Sequence, residues 1–231
     1  MHTGQNMTAT TEEYLEWICR LSMEQKKVTA SELSRSLKVS QASVTSMLKR
    51  LVEQGLVNHQ AYGVITLTPA GREVGARVIR RHGLLERLLC DVLGVAWYRV
   101  DEVVCQIEHY LDDDVEDRLD TFLNHPTTCP HGQPINFDHV LLEVRLSEIS
   151  TGQSGTVARM GDESPDFLKY IQEMGILPGV NLRIKERQPF GGSLILTIGE
   201  RECSLGEAAA RRIWMDQASI YWPPASDSVP G

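Results

Sequence analysis

One change of periodicity divides this chain. Up to Leu123 its apolar residues recur at helical spacing except in one hairpin, whereas from Leu142 onward they fall in short runs between glycines. Between these textures, Asn124 to Phe137 holds Pro126, Pro130, Gly132 and Pro134 and reads as a loop. The expected fold is therefore mainly α with a small β part, the helices first and a small barrel last.

Within the helical part, Thr11 to Met23 carries Tyr14, Leu15, Ile18 and Leu21 as one apolar stripe, with Thr10 or Thr11 as its cap. Thr29 to Leu37 makes a short second helix. Lys38-Val39-Ser40 then turns tightly, and Ser40 caps a third helix, Gln41 to Gln54, which stops at Gly55. Two apolar runs follow, Leu56-Val57 and Val64 to Leu67, with Tyr62-Gly63 at the turn of a hairpin. Pro69 opens a long helix from Ala70 to about Leu93, closed by Gly94. Further helices are expected from Val100 to His109 or Tyr110 and from Asp114 to Leu123.

Helix, turn, helix and hairpin in this order make a winged helix-turn-helix, a fold that reads double-stranded DNA and in some proteins serves as a scaffold for protein contacts instead. Its third helix turns Val44, Leu48 and Leu51 inward and Gln41, Ser43, Ser46, Lys49 and Arg50 outward. Short hydroxyl and amide side chains suit base edges, and Lys49 and Arg50 suit phosphates. Ser40, Gln41, Ser43, Thr45, Ser46, Lys49 and Arg50 are thus the candidate DNA-binding residues. The formal net charge of −8 opposes this only in sum. From Lys26 to Arg81 there are ten Lys/Arg against three Asp/Glu, but from His82 to Pro126 three Arg against eleven Asp/Glu. An anion-binding segment is followed at once by a cation-binding one.

The acidic segment and the first helix hold clusters of metal-ligand type. Glu13 and Glu16 stand three apart on the first helix. His82 and Glu86 stand four apart on the long helix, and Cys105, Glu108 and His109 have the spacing of one helix side. Cys129-Pro130-His131 adds a thiol and an imidazole in the loop. Mixed nitrogen, oxygen and sulfur donors with several carboxylates suit Mn²⁺, Fe²⁺ or Co²⁺ better than a closed zinc site. Each cluster alone also fits a solvated face or a small core thiol.

The five cysteines are scattered, with no Cys-x-x-Cys, which argues against a disulfide framework. No apolar run reaches the roughly 20 residues of a membrane helix. Met1 to Thr10 lacks the layout of a signal peptide, so a cytoplasmic protein is expected. The β part holds short runs at Leu142 to Leu146, Gly155 to Ala158, Asn181 to Lys185, Ser193 to Ile198 and Glu202 to Leu205, with one helix from Pro165 to Met174. The tail from Pro223 is expected to be disordered.

On these residues the chain resembles the diphtheria toxin repressor family, with its iron-dependent regulators and manganese transport regulators. Thr10-Thr-Glu-Glu-Tyr-Leu15 is similar to the family's opening helix, and Arg81-His-Gly-Leu-Leu-Glu86 and Cys105-Gln-Ile-Glu-His109 to its metal-bearing helices. Thr128-Cys-Pro-His-Gly132 is similar to the loop of manganese-type, three-domain members. Met174-Gly-Ile-Leu-Pro-Gly179 and Pro189-Phe-Gly-Gly192 resemble an SH3-like barrel shared with ferrous-transport accessory proteins. The resemblance implies a winged helix-turn-helix DNA-binding domain (1–72), a helical metal-binding and dimerisation domain (73–140), an SH3-like barrel (141–223) and a tail (224–231).

It further implies a homodimer that, when metal-loaded, binds a palindromic operator and represses metal-uptake genes. One metal site would use Glu13, Cys105, Glu108 and His109, with Glu16 and His82 available. A second would use His82 and Glu86 with either Asp101, Glu163 and Asp166 or Cys129, His131 and Asp166. The set Glu86, Cys129, His131 and Asp166 is preferred because the Cys-Pro-His loop is present. Glu13 with Glu16 is the manganese-type pattern and Cys105 the iron-type one; the hard oxygen donors lean toward Mn²⁺, with Fe²⁺ as the alternative. Two other readings stay open: a winged-helix regulator with a small-molecule effector, and a metal-dependent hydrolase, for which no nucleophile motif is present.

Overall fold

The computed structural model describes residues 7–24, 27–59, 63–137 and 142–221. They fall in two compact units, one bounded as Met1–Leu88, Glu102–Thr127 and Pro134–Asp138, the other as Leu89–Asp101, Thr128–Gln133 and His139–Gly231.

In the first unit, α1 (Ala9–Met23) starts earlier than a Thr10 or Thr11 cap would allow. Thr8 is the cap, its hydroxyl accepting from the Thr11 amide, while Thr11 itself is buried inside the first turn. Several hydroxyls in a row satisfy the capping pattern, and only the one with extended backbone can fill the role. Helices α2 (Ala30–Ser36) and α3 (Gln41–Glu53) are capped by Thr29 and Ser40 as the residue types suggest, with Lys38 at φ 55° in the turn between them. Leu15, Ile18, Leu33, Val44, Leu48, Leu51 and Ile65 form the core that holds them. The wing is a short antiparallel pair, β1 (Val57–Asn58) with β2 (Thr66–Leu67), in the register Val57 opposite Leu67. Tyr62, expected at its turn, lies outside the described residues.

Thr68 caps α4 (Pro69–Arg87). The α-helix ends sooner than Leu93: Leu88–Val92 is a wider π turn, and Gly94 closes the segment at φ 68°. Hydrophobic spacing reports the buried face of a helix, and one wide turn at its end leaves that face unchanged. Helix α5 (Val100–Ile107) likewise gives way to a 3₁₀ turn, Glu108–Tyr110, before α6 (Asp113–Phe122), which Asp112 caps. Arg81, buried, donates to Glu116 at 2.9 Å and Asp113 at 2.7 Å, and Arg80 reaches Glu116 and Asp120, so α4 and α6 are bound by a charged network.

The second unit carries α7 (Pro165–Met174), with the bounds read from sequence, and an antiparallel sheet of β3 (Glu143–Arg145), β4 (Ser154–Met160), β5 (Asn181–Arg187), β6 (Leu194–Ile198), β7 (Arg201–Leu205) and β8 (Ile213–Asp216) in the order β3-β8-β4-β5-β6-β7. Strand β8 and the short α8 (Glu207–Ala210) were not singled out in the sequence. Ile-Trp-Met-Asp is too short for alternation to show, yet β8 fills the place between β3 and β4. Register shifts at Val157/Arg159 and Ile184/Glu186 bend the sheet around Leu146, Met160, Leu168, Ile171, Ile184 and Leu196. Among the described residues no helix is long and apolar enough to cross a membrane. The tail from Pro223 lies outside the described residues.

Candidate metal centre and nucleic-acid interface

The centre depends on how closely α1 and α4 approach. A Cβ placed on Gly75 of α4 would lie 2.4 Å from Cys19 Sγ and 2.8 Å from the Leu15 carbonyl oxygen of α1. Only hydrogen fits there, so the two helices meet main chain to main chain. Their contact carries Glu16 toward His82, whose Nδ1 stands 4.0 Å from Glu16 Oε1.

His82 is the hub. Its Nδ1 is 2.7 Å from Glu108 Oε2 and its Nε2 is 3.4 Å from Glu86 Oε1. One ligand atom each from His82, Cys105 and Glu108 lie within 4.8 Å of one another. His82, Glu86 and Glu108 are only 3%, 1% and 2% exposed, so the carboxylates face one another with little water to screen them. Burial disfavours the imidazolium, but the Glu86 carboxylate and hydrogen bonds with Cys105, Glu108 and Glu86 outweigh it and hold the His82 pKa well above its usual range. Burial raises Glu108; the His82 hydrogen bond lowers it and Glu16 raises it further. Acids crowded round a buried imidazole, with a thiol at hand, make a donor set that a divalent transition metal fits.

Glu108 and His109 lie on the 3₁₀ turn rather than on a continuing helix, and this separates their roles. Glu108 joins Cys105 and His82. His109 faces α1, its Nδ1 2.7 Å from Glu12 Oε2 and its Nε2 3.5 Å from Glu108 Oε1. Glu12 was passed over in the sequence, although it stands four before Glu16 and so shares a face with it more closely than Glu13 does. Glu13 is exposed; burial of part of its side chain and the Glu16 charge raise its pKa, and His109 lowers it. Glu16 also takes an ion pair from Arg20 at 2.8 Å.

The other expected ligands lie in the second unit. Cys129 and His131 are both buried, with Cys129 Sγ 3.9 Å from His131 Nδ1. His131 Nε2 is 2.9 Å from the Trp97 carbonyl oxygen, so it donates there and Nδ1 is the nitrogen bearing the lone pair. Their turn is seated by Gly132, at φ 86°, where a Cβ would lie 2.1 Å from the Ala158 carbonyl oxygen on β4. Glu163 accepts from Gln133 Nε2 at 2.7 Å. Asp166 is exposed in the first turn of α7, and Asp101 is half-buried at the start of α5.

On α3, Ser40, Gln41, Ser43, Thr45, Ser46, Lys49 and Arg50 are all exposed, opposite buried Val44, Met47, Leu48 and Leu51. Ser40 is committed to the cap, accepting from the Ser43 amide at 3.1 Å, and Thr45 donates to the Gln41 carbonyl at 2.8 Å. Gln41 donates to Ser31 Oγ at 3.2 Å and Ser43 Oγ lies 2.9 Å from Ser40 Oγ, and with Ser46, Lys49 and Arg50 they present an acid-free surface.

A winged helix-turn-helix whose first helix shares a buried carboxylate–imidazole cluster with the helices behind it defines a class: DNA-binding proteins with a metal-ligand core. The comparisons carry this further. Residues 6–65 match the iron dependent repressor N-terminal DNA binding domain, residues 68–137 the iron dependent repressor metal binding and dimerisation domain, and residues 144–217 the FeoA domain. The iron-dependent repressor IdeR of Mycobacterium tuberculosis is 31% identical over 225 residues, 90% of this chain and 97% of that protein. The diphtheria toxin repressor of Corynebacterium efficiens is 34% identical over 209 residues, 90% of this chain and 82% of that protein. A solved manganese-dependent transcriptional repressor in complex with manganese aligns at a TM-score of 0.81 and 33% identity, over 89% of this chain and 99% of the other. The chain belongs to the diphtheria toxin repressor family of iron-dependent repressors.

Proposed function

We propose that this chain is a metal-dependent transcriptional repressor, working in the cytoplasm as a homodimer that binds a palindromic operator when loaded with Mn²⁺ or Fe²⁺ and so controls metal-uptake genes. The observation that carries the reading is the buried His82 hub, where donors from α1, α4, α5 and the 3₁₀ turn converge, α1 sharing its core with the DNA-reading helix. His82, Cys105 and Glu108 would hold the ion, with Glu13, Glu16, Glu86 and His109 as further donors. A bound divalent cation would add positive charge among these carboxylates and take the place of the His82 proton.

The chain's own residues do the rest. Glu16 and Glu12 reach from α1 to groups behind it, so the position of α1 depends on the charge balance of the cluster. Because α1 packs in the same core as α3, fixing α1 fixes the reading helix. A pre-ordered reading head pays less ordering entropy on binding DNA. A stripe of Val103, Ile107 and Tyr110, with Phe122 on α6, leaves apolar surface exposed and supports self-association. Cys129 and His131 are proposed as a second pair of donors, with Asp166 in the same unit; Gln133 accounts for Glu163. The division at 1–72, 73–140 and 141–223 stands as the proposed domain organisation. Carboxylate-rich donors favour Mn²⁺, and the thiol of Cys105 keeps Fe²⁺ as the alternative.

The test is operator binding by fluorescence anisotropy, with candidate operators first selected from a random DNA pool in Mn²⁺. Affinity should rise at least tenfold with Mn²⁺ or Fe²⁺ and return on chelation. Affinity that ignores the metal would reject the reading in favour of a small-molecule effector.

A further inference from the structure

Glu12 is outside every ligand set drawn from the sequence, and its side chain is spent on one contact. Glu12 Oε2 lies 2.7 Å from His109 Nδ1, while the other ring nitrogen, Nε2, points to the cluster, 3.5 Å from Glu108 Oε1. Both side chains are largely buried, 17% and 10% exposed, so the contact is shielded from water and held in one geometry. A carboxylate is an acceptor only, so Nδ1 must be the protonated nitrogen. In the neutral ring that leaves the lone pair on Nε2, the nitrogen aimed at Glu108 and the cluster.

We infer that Glu12 is a positioning residue: it fixes the tautomer and ring orientation of His109 so that Nε2 is presented as a donor, and it does so from α1, the first helix of the winged helix-turn-helix. This deepens the metal reading and rests on His109 being a ligand. A carboxylate that orients a metal-binding imidazole through its far nitrogen is a general device, and removing one commonly costs about 10- to 100-fold in metal affinity. Here the orienting group comes from a different element than the imidazole. The same hydrogen bond therefore fastens α1 to the metal-bearing turn.

A competing structural account exists. An acid in the first turn of a helix also favours its N-terminus. That role needs charge alone and is indifferent to the state of His109.

The experiment uses the full chain with ¹⁵N-labelled histidine, alongside Glu12→Ala and Glu12→Gln. Long-range ¹H–¹⁵N spectra of the metal-free protein, at a pH where the ring is neutral, report the tautomer; His109→Gln identifies its signals. Mn²⁺ affinity is read separately from the loss of the free-ion paramagnetic resonance signal. The wild-type chain should show the Nδ1–H form. Glu12→Ala should lose it and bind Mn²⁺ about 10- to 100-fold more weakly. Glu12→Gln, whose amide oxygen still accepts, should keep the tautomer and recover part of the affinity. If Glu12→Ala keeps the wild-type tautomer, or if Gln and Ala behave alike, the positioning role is overturned. A flat Mn²⁺ titration for the wild-type chain would instead overturn the ligand reading of His109, while the tautomer measurement stands on its own.

Discussion

At the level of single residues, the cluster around His82 makes stability depend on pH. His82 and Glu108 both carry raised pKa values in the folded chain. A group whose folded pKa lies above its unfolded one binds more protons when folded. Its contribution to stability is complete below the unfolded value and disappears as pH climbs through the folded one. The metal-free protein should therefore lose thermal stability as pH is raised above the ordinary imidazole range, and Mn²⁺ should gain affinity over the same range as the proton leaves His82. Differential scanning fluorimetry from pH 6 to 9 should show stability falling with pH in chelator and staying nearly level in Mn²⁺, where the His82 proton is already lost; parallel slopes would contradict this. Glu108→Ala and His109→Ala should each abolish the metal response of operator binding while the circular dichroism spectrum stays that of a folded chain. The pairing of His82 with Glu86 was legible in the sequence because helical spacing predicts which side chains share a face, whereas the parting of Glu108 from His109 on the 3₁₀ turn was not. Nor was Glu12, since three acids stand close together on α1 and spacing cannot say which one meets a partner nearly a hundred residues away.

Between elements, helix contacts and caps decide the outcome. Gly75→Ala pushes a methyl group into Cys19 and the Leu15 main chain and should cost on the order of 1–3 kcal/mol, read as a lowered Tm. Cys19→Ala in the same chain removes the sulfur but leaves the Leu15 carbonyl 2.8 Å away, so rescue should be partial. Full rescue would mean that the helices meet through side chains after all. On α3, Lys49→Ala and Arg50→Ala should each lower the slope of log affinity against log salt by about 1 without altering operator preference. Ser40→Ala should cost about 1 kcal/mol of stability even without DNA, because its hydroxyl is the helix cap. These elements were readable because Ser40, Thr68 and Pro69 carry start signals that need no tertiary information. The ends of α4 and α5 were not, because a π turn and a 3₁₀ turn preserve the apolar stripe while changing where the next side chain points.

Across the whole chain, the shift from helical to alternating texture located the two kinds of architecture, and the matches to the repressor and FeoA domains agree with it. Strand β8 stayed hidden because a central strand of four residues is defined by its neighbours on both sides more than by its own pattern. Phe122 is 66% and Tyr110 84% exposed on the first unit, apolar surface available to a second copy of the chain. Phe122→Glu combined with Tyr110→Glu should move the protein from dimer to monomer in light scattering behind size exclusion, with Mn²⁺ uptake at the His82 cluster largely retained. A dimer that survives both changes would place self-association elsewhere.

The absence of any side chain at Gly75 has one more consequence. Under the proposed reading, the preferred ion would be set by the acids, the imidazoles and the thiol, while the joint that relays its arrival is the approach of Gly75 to Cys19 and the Leu15 main chain. The two properties are thus separable: swapping donors could retune the signal that is heard without slackening the lever that answers it.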